Sequence, residues 1–505
     1  MNPQPNILLI ICDQLTPAAL PAYGNPVVHA PVISRLASEG VVFDSAYCSA
    51  PLCAPARYGL LSGCLPSRLG GYDNASELPT EAPTFAHYLR LAGYRTILSG
   101  KMHFVGPNQL HGFEERLTTD IYPADFGWVP NWDRPGERQE WYHNMSSVLE
   151  AGPCIRTNQL DYDEEVVHAT RRKLYDLARR PDGRPFLLTV SLTHPHDPYV
   201  IPQRYWDLYR QDEIPLPQVS LDSAPLDPHS ARLHAACLSG TTALSDDQVR
   251  CARRAYYGAV SYADEQIGRL LQTLAETGAM DRTIVVLASD HGDMLGERGL
   301  WYKMHFFEGA VRVPLIVRAP GRFAPARVRS SVALHDLLPT LVELAGGQEA
   351  LQSVCNIDGR SLVPHLAASG GHDEAWAEYM AEGAQAPMAM LRRGPYKFIH
   401  SPGDPDLLFD LQADPLELRN LADEPGHRHV VQAFSHQLRG RWNFQALHEQ
   451  VLCSQRRRRL VHQAEQLGRR AAWDFQPSTD ASTQYVRSHM PLDDIEAMAR
   501  FPSIH

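Results

Sequence analysis

Residues 6–14 read Asn-Ile-Leu-Leu-Ile-Ile-Cys-Asp-Gln, NILLIICDQ. An unbroken apolar run of this length marks a strand buried on both faces, the pattern of a parallel sheet covered by helices. It is too short to cross a bilayer, nothing basic precedes it and no small-residue cleavage site follows it. The segment therefore reads as an interior strand, neither a signal peptide nor an anchor, and a cytoplasmic location is expected. The run stops at Asp13-Gln14, so polar groups sit at the strand's carboxyl end, where open α/β sheets bind ligands.

Outward from this strand, Pro31–Glu39 reads as a short helix ended by Gly40, and Val41–Tyr47 as a second strand. Thr84–Leu91 is amphipathic and ends before Gly93. Further strands are expected at Thr96–Ser99, Pro185–Thr193, Thr283–Ser289 and Pro314–Arg318, with helices at Tyr262–Glu276 and Ala333–Ala345. Alternating strands and helices predict an α/β fold, a mostly parallel sheet sandwiched by helices. Past residue 375 the pattern changes. Met388–His400 reads as a hairpin about Arg393-Gly394-Pro395, Asp414-Pro415 as a turn followed by a helix start, and 430–467 as helices. The expected division is a large α/β domain over 1–374, a smaller α+β subdomain over 375–473 and a tail over 474–505 without periodicity.

At 505 residues, 44% hydrophobic and 21% charged, the chain is globular, and disordered, collagenous and coiled-coil classes are excluded. Its 47 basic against 58 acidic residues, net −11, argue against nucleic acid or an anionic membrane as partner. The run Arg456–Arg459 lies in a helical pattern and reads as a solvated face. Nine cysteines, odd in number and without CxxC spacing, exclude a disulfide scaffold and a structural zinc module.

Polar clusters follow strand after strand: Asp13-Gln14, then Gly100-Lys101-Met102-His103, then His194-Pro195-His196-Asp197-Pro198, then Asp290-His291-Gly292-Asp293. Singly, Asp13 is an ordinary helix cap and Asp290-His291 an ordinary turn. Together on one sheet edge, two carboxylates and an imidazole suit a hard divalent cation. Cys53-Ala54-Pro55-Ala56-Arg57 reads as a loop before a helical stretch, Tyr58–Ser62. An isolated cysteine there is a core residue, or a thiolate whose pKa is lowered by a helix N-terminus and Arg57.

Cys53-x-Pro-x-Arg57 with Ser62-Gly63 resembles the first signature of the type I, formylglycine-dependent sulfatases, a family with an alkaline-phosphatase-like fold. Gly93-Tyr94-Arg95-Thr96 through His103 resembles their second signature, and Asp290-His291-Gly292 with Gly296-Glu297, Gly299 and Lys303 their third. Leu408-Phe409-Asp410-Leu411, Asp414-Pro415, Glu417 and Asn420-Leu421 resemble the family's C-terminal block. Ala56 departs from the family's usual serine. The resemblance implies that a separate formylglycine-generating enzyme oxidises Cys53 to formylglycine. Its hydrate then offers one hydroxyl to attack sulfur and a second whose deprotonation ejects sulfate. It further implies a metal, Ca2+ first and Mn2+ or Mg2+ as alternatives, held by Asp13, Gln14, modified Cys53, Asp290 and His291. Gln14 stands where many relatives carry an acid. Arg57 would stabilise the diol, Lys101 and Lys303 would grip sulfate, His103 would assist collapse and His196 would protonate the leaving alcohol, with His194 in reserve.

The layout after 375, the Asp-Gln start and Met498–Phe501 look most like the choline sulfatase branch, which implies cleavage of choline O-sulfate to choline and sulfate. A quaternary ammonium donates no hydrogen bonds, so aromatic faces and carboxylates must hold it. In the aromatic loop Tyr122–Trp132, Trp128 is the first candidate, with Asn74, Asn144 and Glu382 as neighbours. Asp493 of the tail is another, reaching into a second subunit and so implying a homo-oligomer, a dimer or tetramer. The alternatives are a phosphonate monoester or phosphodiester hydrolase of the same superfamily, and an inactive binding protein on this fold, which the retained Lys and His residues disfavour.

Overall fold

The apolar run at 6–12 is a strand buried at every position. The structure, a computed structural model, describes residues 4–122, 124–223, 226–347, 356–470, 472–478, 482 and 488–502. In chain order the strands are β1 (Asn6–Cys12), β2 (Val41–Tyr47), β3 (Arg95–Gly100), β4 (Glu115–Arg116), β5 (Gly152–Cys154), β6 (Phe186–Leu192), β7 (Val200–Pro202), β8 (Thr283–Ala288), β9 (Arg312–Arg318), β10 (Ala326–Ala333), β11 (Ala375–Tyr379), β12 (Met388–Arg393), β13 (Tyr396–His400) and β14 (Leu407–Asp410). The main sheet has eight strands in the order β10-β2-β9-β8-β1-β6-β3-β4. β9 is antiparallel to β2 and β8, and the other pairings are parallel. Chain direction explains β9. The segment after β8 stays at the carboxyl edge, carrying Asp290 to Phe307, and re-enters the sheet from that edge, which an antiparallel strand alone can do.

A four-stranded antiparallel sheet, β11-β12-β13-β14, follows, its β12–β13 hairpin turning at Gly394 and Pro395 as the sequence indicates. Two helices, Arg428–Arg441 and Phe444–Glu465, close this region. Among the described residues no helix is long and apolar enough to cross a membrane.

Several elements differ from the sequence reading. Cys53 does not lie in a loop: it opens the helix Cys53–Ser62. Pro55 fits there, because in the first helical turn its missing N–H has no intrahelical partner to lose. The helix read from Tyr262 spans 31 residues, Asp246–Glu276, and begins in a Ser245–Gln248 capping box. Ala333–Ala345 divides into the end of β10, a 3-10 turn at Leu334–Asp336 and the helix Leu337–Leu344. No helix starts after Asp414-Pro415; Glu417 turns left-handed at φ 58° and buries its carboxylate against Lys397. The tail carries a helix, Leu492–Ala499, and Phe501 packs on Tyr175 at 5.7 Å; tail residues 479–481, 483–487 and 503–505 lie outside the described residues. Finally, Arg458 of the basic run is buried, not solvated.

Candidate active site

Four neighbouring strands end level. Ile11 pairs with Ala288, Cys12 with Leu192 and Gly100 with Ser191, so β8, β1, β6 and β3 deliver their following residues to one edge. Gly100 makes the β3 turn possible: its φ is +103°, and a Cβ there would lie 2.0 Å from the Ser191 carbonyl oxygen. The backbone N–H of Lys101 then donates to that oxygen at 3.1 Å. Gln14, His103, Tyr302 and Met304 all adopt left-handed φ between 58° and 78° around the same edge, so part of the molecule's backbone strain is stored there.

At the base of the site, Arg57 lies one turn along its helix from Cys53. Its Nε donates to Asp290 Oδ2 and its Nη2 to Asp13 Oδ2, both at 2.9 Å and fully buried. Lys101 Nζ lies 2.5 Å from the same Asp13 oxygen and 3.9 Å from Cys53 Sγ. Burial alone would raise Asp13, but Lys101, with His196 and Arg57, holds it well below the usual carboxylate range. Burial likewise opposes the charged form of Cys53, yet Lys101, Lys303 and His291 push its thiol well below the ordinary value. His291 Nδ1 donates to the Gly292 carbonyl at 3.0 Å, which turns Nε2 toward Cys53 Sγ, 3.2 Å away.

These residues fit a metal ion. One ligand atom from each of Asp13, Cys53, Asp290 and His291 lies within 4.8 Å of the others. Asp13 Oδ1 is buried and accepts no hydrogen bond among the described residues, an expensive state unless a cation takes it. Carboxylate oxygens and one imidazole suit Ca2+, Mg2+ or Mn2+. Gln14 is turned partly aside: its Oε1 accepts from Lys303 Nζ and its Nε2 donates to Asp293 Oδ2, each at 2.6 Å.

Above this base opens a cavity of about 340 Å³. Cys53, Lys101, His103, His196 and Lys303 face it, and so do Trp128, Asn74, Asn144 and Glu382. His103 has both ring nitrogens buried and without partners among the described residues, and its ring meets Trp128 edge-on at 5.9 Å. His196 Nε2 is 2.8 Å from Lys303 Nζ. His194 points elsewhere, its Nδ1 2.7 Å from buried Asp163. Asn74 Oδ1 accepts from the Ala54 N–H at 3.0 Å, tying it to the start of the Cys53 helix. Glu382 is buried beside His143, 3.2 Å away. Asp493 is exposed on the tail helix and does not line this cavity. Sequence reasoning missed Trp141, Tyr142, His143 and Tyr302, which also line it, as does Asp197 of the strand-end cluster. The aromatic pair Trp141-Tyr142 beside Asn144 was the available signal.

The site is thus a buried carboxylate–imidazole group at the carboxyl edge of a mostly parallel sheet, beside a cysteine at a helix start. Residues 5–347 match the Sulfatase family, and the chain belongs to it. Residues 449–501 match the choline sulfatase enzyme C-terminal family. The chain is 47% identical to the choline-sulfatase of Rhizobium meliloti (strain 1021), covering 99% of both chains. It is 27% identical to the arylsulfatase of Clostridium perfringens (strain 13 / Type A), over 85% of this chain and 92% of that one. Among solved structures, the phosphonate monoester hydrolase of Agrobacterium radiobacter shares the fold with a TM-score of 0.68 at 24% identity, over 89% of this chain and 96% of that one.

Proposed function

We propose that this chain hydrolyses choline O-sulfate to choline and sulfate. One observation carries the reading: a single cavity joins the cations Lys101 and Lys303, beside Cys53, to the Trp128 ring and the buried Glu382 carboxylate. A zwitterion with a sulfate at one end and a quaternary ammonium at the other matches that pairing. The 47% identity to a choline-sulfatase supports the same substrate.

Cys53, matured to formylglycine by a separate enzyme, supplies an oxygen nucleophile as its hydrate. A divalent ion, Ca2+ first, held by Asp13, Asp290, His291 and residue 53 with Gln14 alongside, supplies Lewis-acid activation. Arg57, bonded to Asp13 and Asp290, holds both ligand carboxylates in place. Lys101 and Lys303 bind the sulfate oxygens and offset charge gained in the transition state. His196, its Nε2 free to carry a proton once sulfate draws the Lys303 ammonium off it, donates that proton to the departing alcohol, and His103, facing the same cavity, takes a proton from the nucleophilic group. Trp128 presents its face to the ammonium while Asn74, Asn144 and Glu382 complete the wall. We place the enzyme in the cytoplasm as a homo-oligomer in which Asp493 reaches a neighbouring subunit. The catalytic region is 1–374, the α+β subdomain 375–473 and the tail 474–505.

Parallel steady-state assays on choline O-sulfate, an aryl sulfate and a phosphonate monoester test the substrate. The expected result is the highest kcat/KM on choline O-sulfate. A higher value on the phosphonate monoester would transfer the chain to the other branch, and no turnover of any ester would make it a binding protein.

A further inference from the structure

Lys303 can grip sulfate only if its head group is aimed at the cavity. Its Nζ is buried, and its hydrogen-bond partners are Gln14 Oε1 at 2.6 Å and His196 Nε2 at 2.8 Å. An amide can face either way, so something must fix which end of Gln14 meets the ammonium. Asp293, three residues after Asp290 and outside the metal-ligand group, does so. Its Oδ2 accepts from Gln14 Nε2 at 2.6 Å and from the Tyr199 hydroxyl at 2.8 Å. Its Oδ1 accepts from the backbone N–H groups of Leu295 at 2.8 Å and Tyr302 at 3.1 Å. Four donors thus converge on one buried carboxylate, and Gln14 Nε2 has a second, longer contact to Asp197 Oδ1 at 3.4 Å.

We infer that Asp293 is a positioning residue that sets the orientation of the Gln14 amide and, through it, the place of the Lys303 ammonium. All four contacts to the Asp293 carboxylate come from N–H and O–H donors, so the amide NH2 faces Asp293 and the amide oxygen faces Lys303. Turned over, Gln14 would present N–H groups to an ammonium that has nothing to accept them. The Tyr302 N–H bond pins the residue next to Lys303 to the same carboxylate, so the lysine's backbone and head group are held from one point. This inference rests on the proposed function only for what Lys303 does to substrate.

A swap of acceptor and donor tests it. In Asp293→Asn, two NH2 groups meet at the 14–293 contact; in Gln14→Glu, two carboxylates do. In the double variant, the new amide at position 293 donates to the new carboxylate at position 14. That carboxylate still accepts from Lys303, and the Tyr199 hydroxyl turns to accept. Each single variant is expected to lose about 100-fold in kcat/KM for choline O-sulfate, the cost of a small misplacement at a reacting centre. The double variant is expected to return to within about tenfold of the wild type, a coupling far from additive. The same cycle read by chemical unfolding needs no substrate and should show coupling of the same sign. A double variant that is additive in both readouts, or that does not fold, overturns the inference. Coupling in unfolding alongside a wild type that cleaves no sulfate ester leaves this inference standing and removes the proposed function.

Discussion

Arg57 donates to both Asp13 and Asp290 from one helical turn beyond Cys53. Its charge partners two carboxylates that are both buried, so neither is left without a cation beside it. At this scale the sequence was informative where chemistry is local. Asp13, Lys101, His196 and Asp290 each follow a strand closely, so the strand pattern alone gathers them. It could not separate His194 from His196; the hydrogen bond of His194 to Asp163 draws that ring away. Nor did it show Asp293 acting on Gln14, 279 residues apart. Trp128 carries a prediction. Trp128→Ala should lower kcat/KM for choline O-sulfate about 30-fold, the loss of one desolvated cation–π contact of about 2 kcal/mol. An aryl sulfate assayed beside it should change by less than about threefold. Equal losses on both esters would remove Trp128 from the ammonium site.

Among the elements, the helix Phe444–Glu465 does more than cover the back of the molecule. Its Gln455 accepts from the Trp132 N–H at 2.9 Å, and His448 stacks on the Trp132 ring at 5.3 Å. Arg456 and Arg459 pair with Asp133. Arg458 reaches Asp73 with two bonds, 2.5 and 2.8 Å long, both ends buried. Two walls of the cavity, the Trp128 loop and the Asn74 turn, are therefore fastened by one helix. Arg458→Met should cost about 3–5 kcal/mol by leaving the Asp73 carboxylate buried without its partner, measured by urea unfolding. It should also raise KM for choline O-sulfate, because Asn74 follows Asp73. A stability loss under about 1 kcal/mol would show the pair to be a surface-like contact. The sequence pointed to a solvated face for this run because helical periodicity says nothing about a partner 385 residues away.

Over the whole molecule, the second sheet is part of the active-site architecture. β11 bonds back to the first region through Glu378 N–H to the Ser49 carbonyl at 2.9 Å, and the chain leaving β11 supplies Glu382. The change in sequence character near 375 was legible, while the joint between the two sheets was not, since it depends on contacts between distant segments. Glu378 bears that joint, accepting from Ser67 and from Trp442 Nε1. Burial pushes its carboxyl up to about 7. A folded-state value above the unfolded one means the native state binds the proton more tightly. Its contribution is therefore complete below about pH 4.5 and is lost as pH rises through about 7, on the order of 3 kcal/mol in all. Comparing urea midpoints at pH 5 and pH 8, Glu378→Gln should lack this decline relative to the wild type; identical pH slopes would contradict it.

The proposed chemistry turns on what stands at position 53. Peptide mass spectrometry of active enzyme, produced with a formylglycine-generating enzyme present, measures it directly. Formylglycine at residue 53, in proportion to specific activity, is the predicted result. Fully active protein carrying only the cysteine thiol at that residue would contradict it.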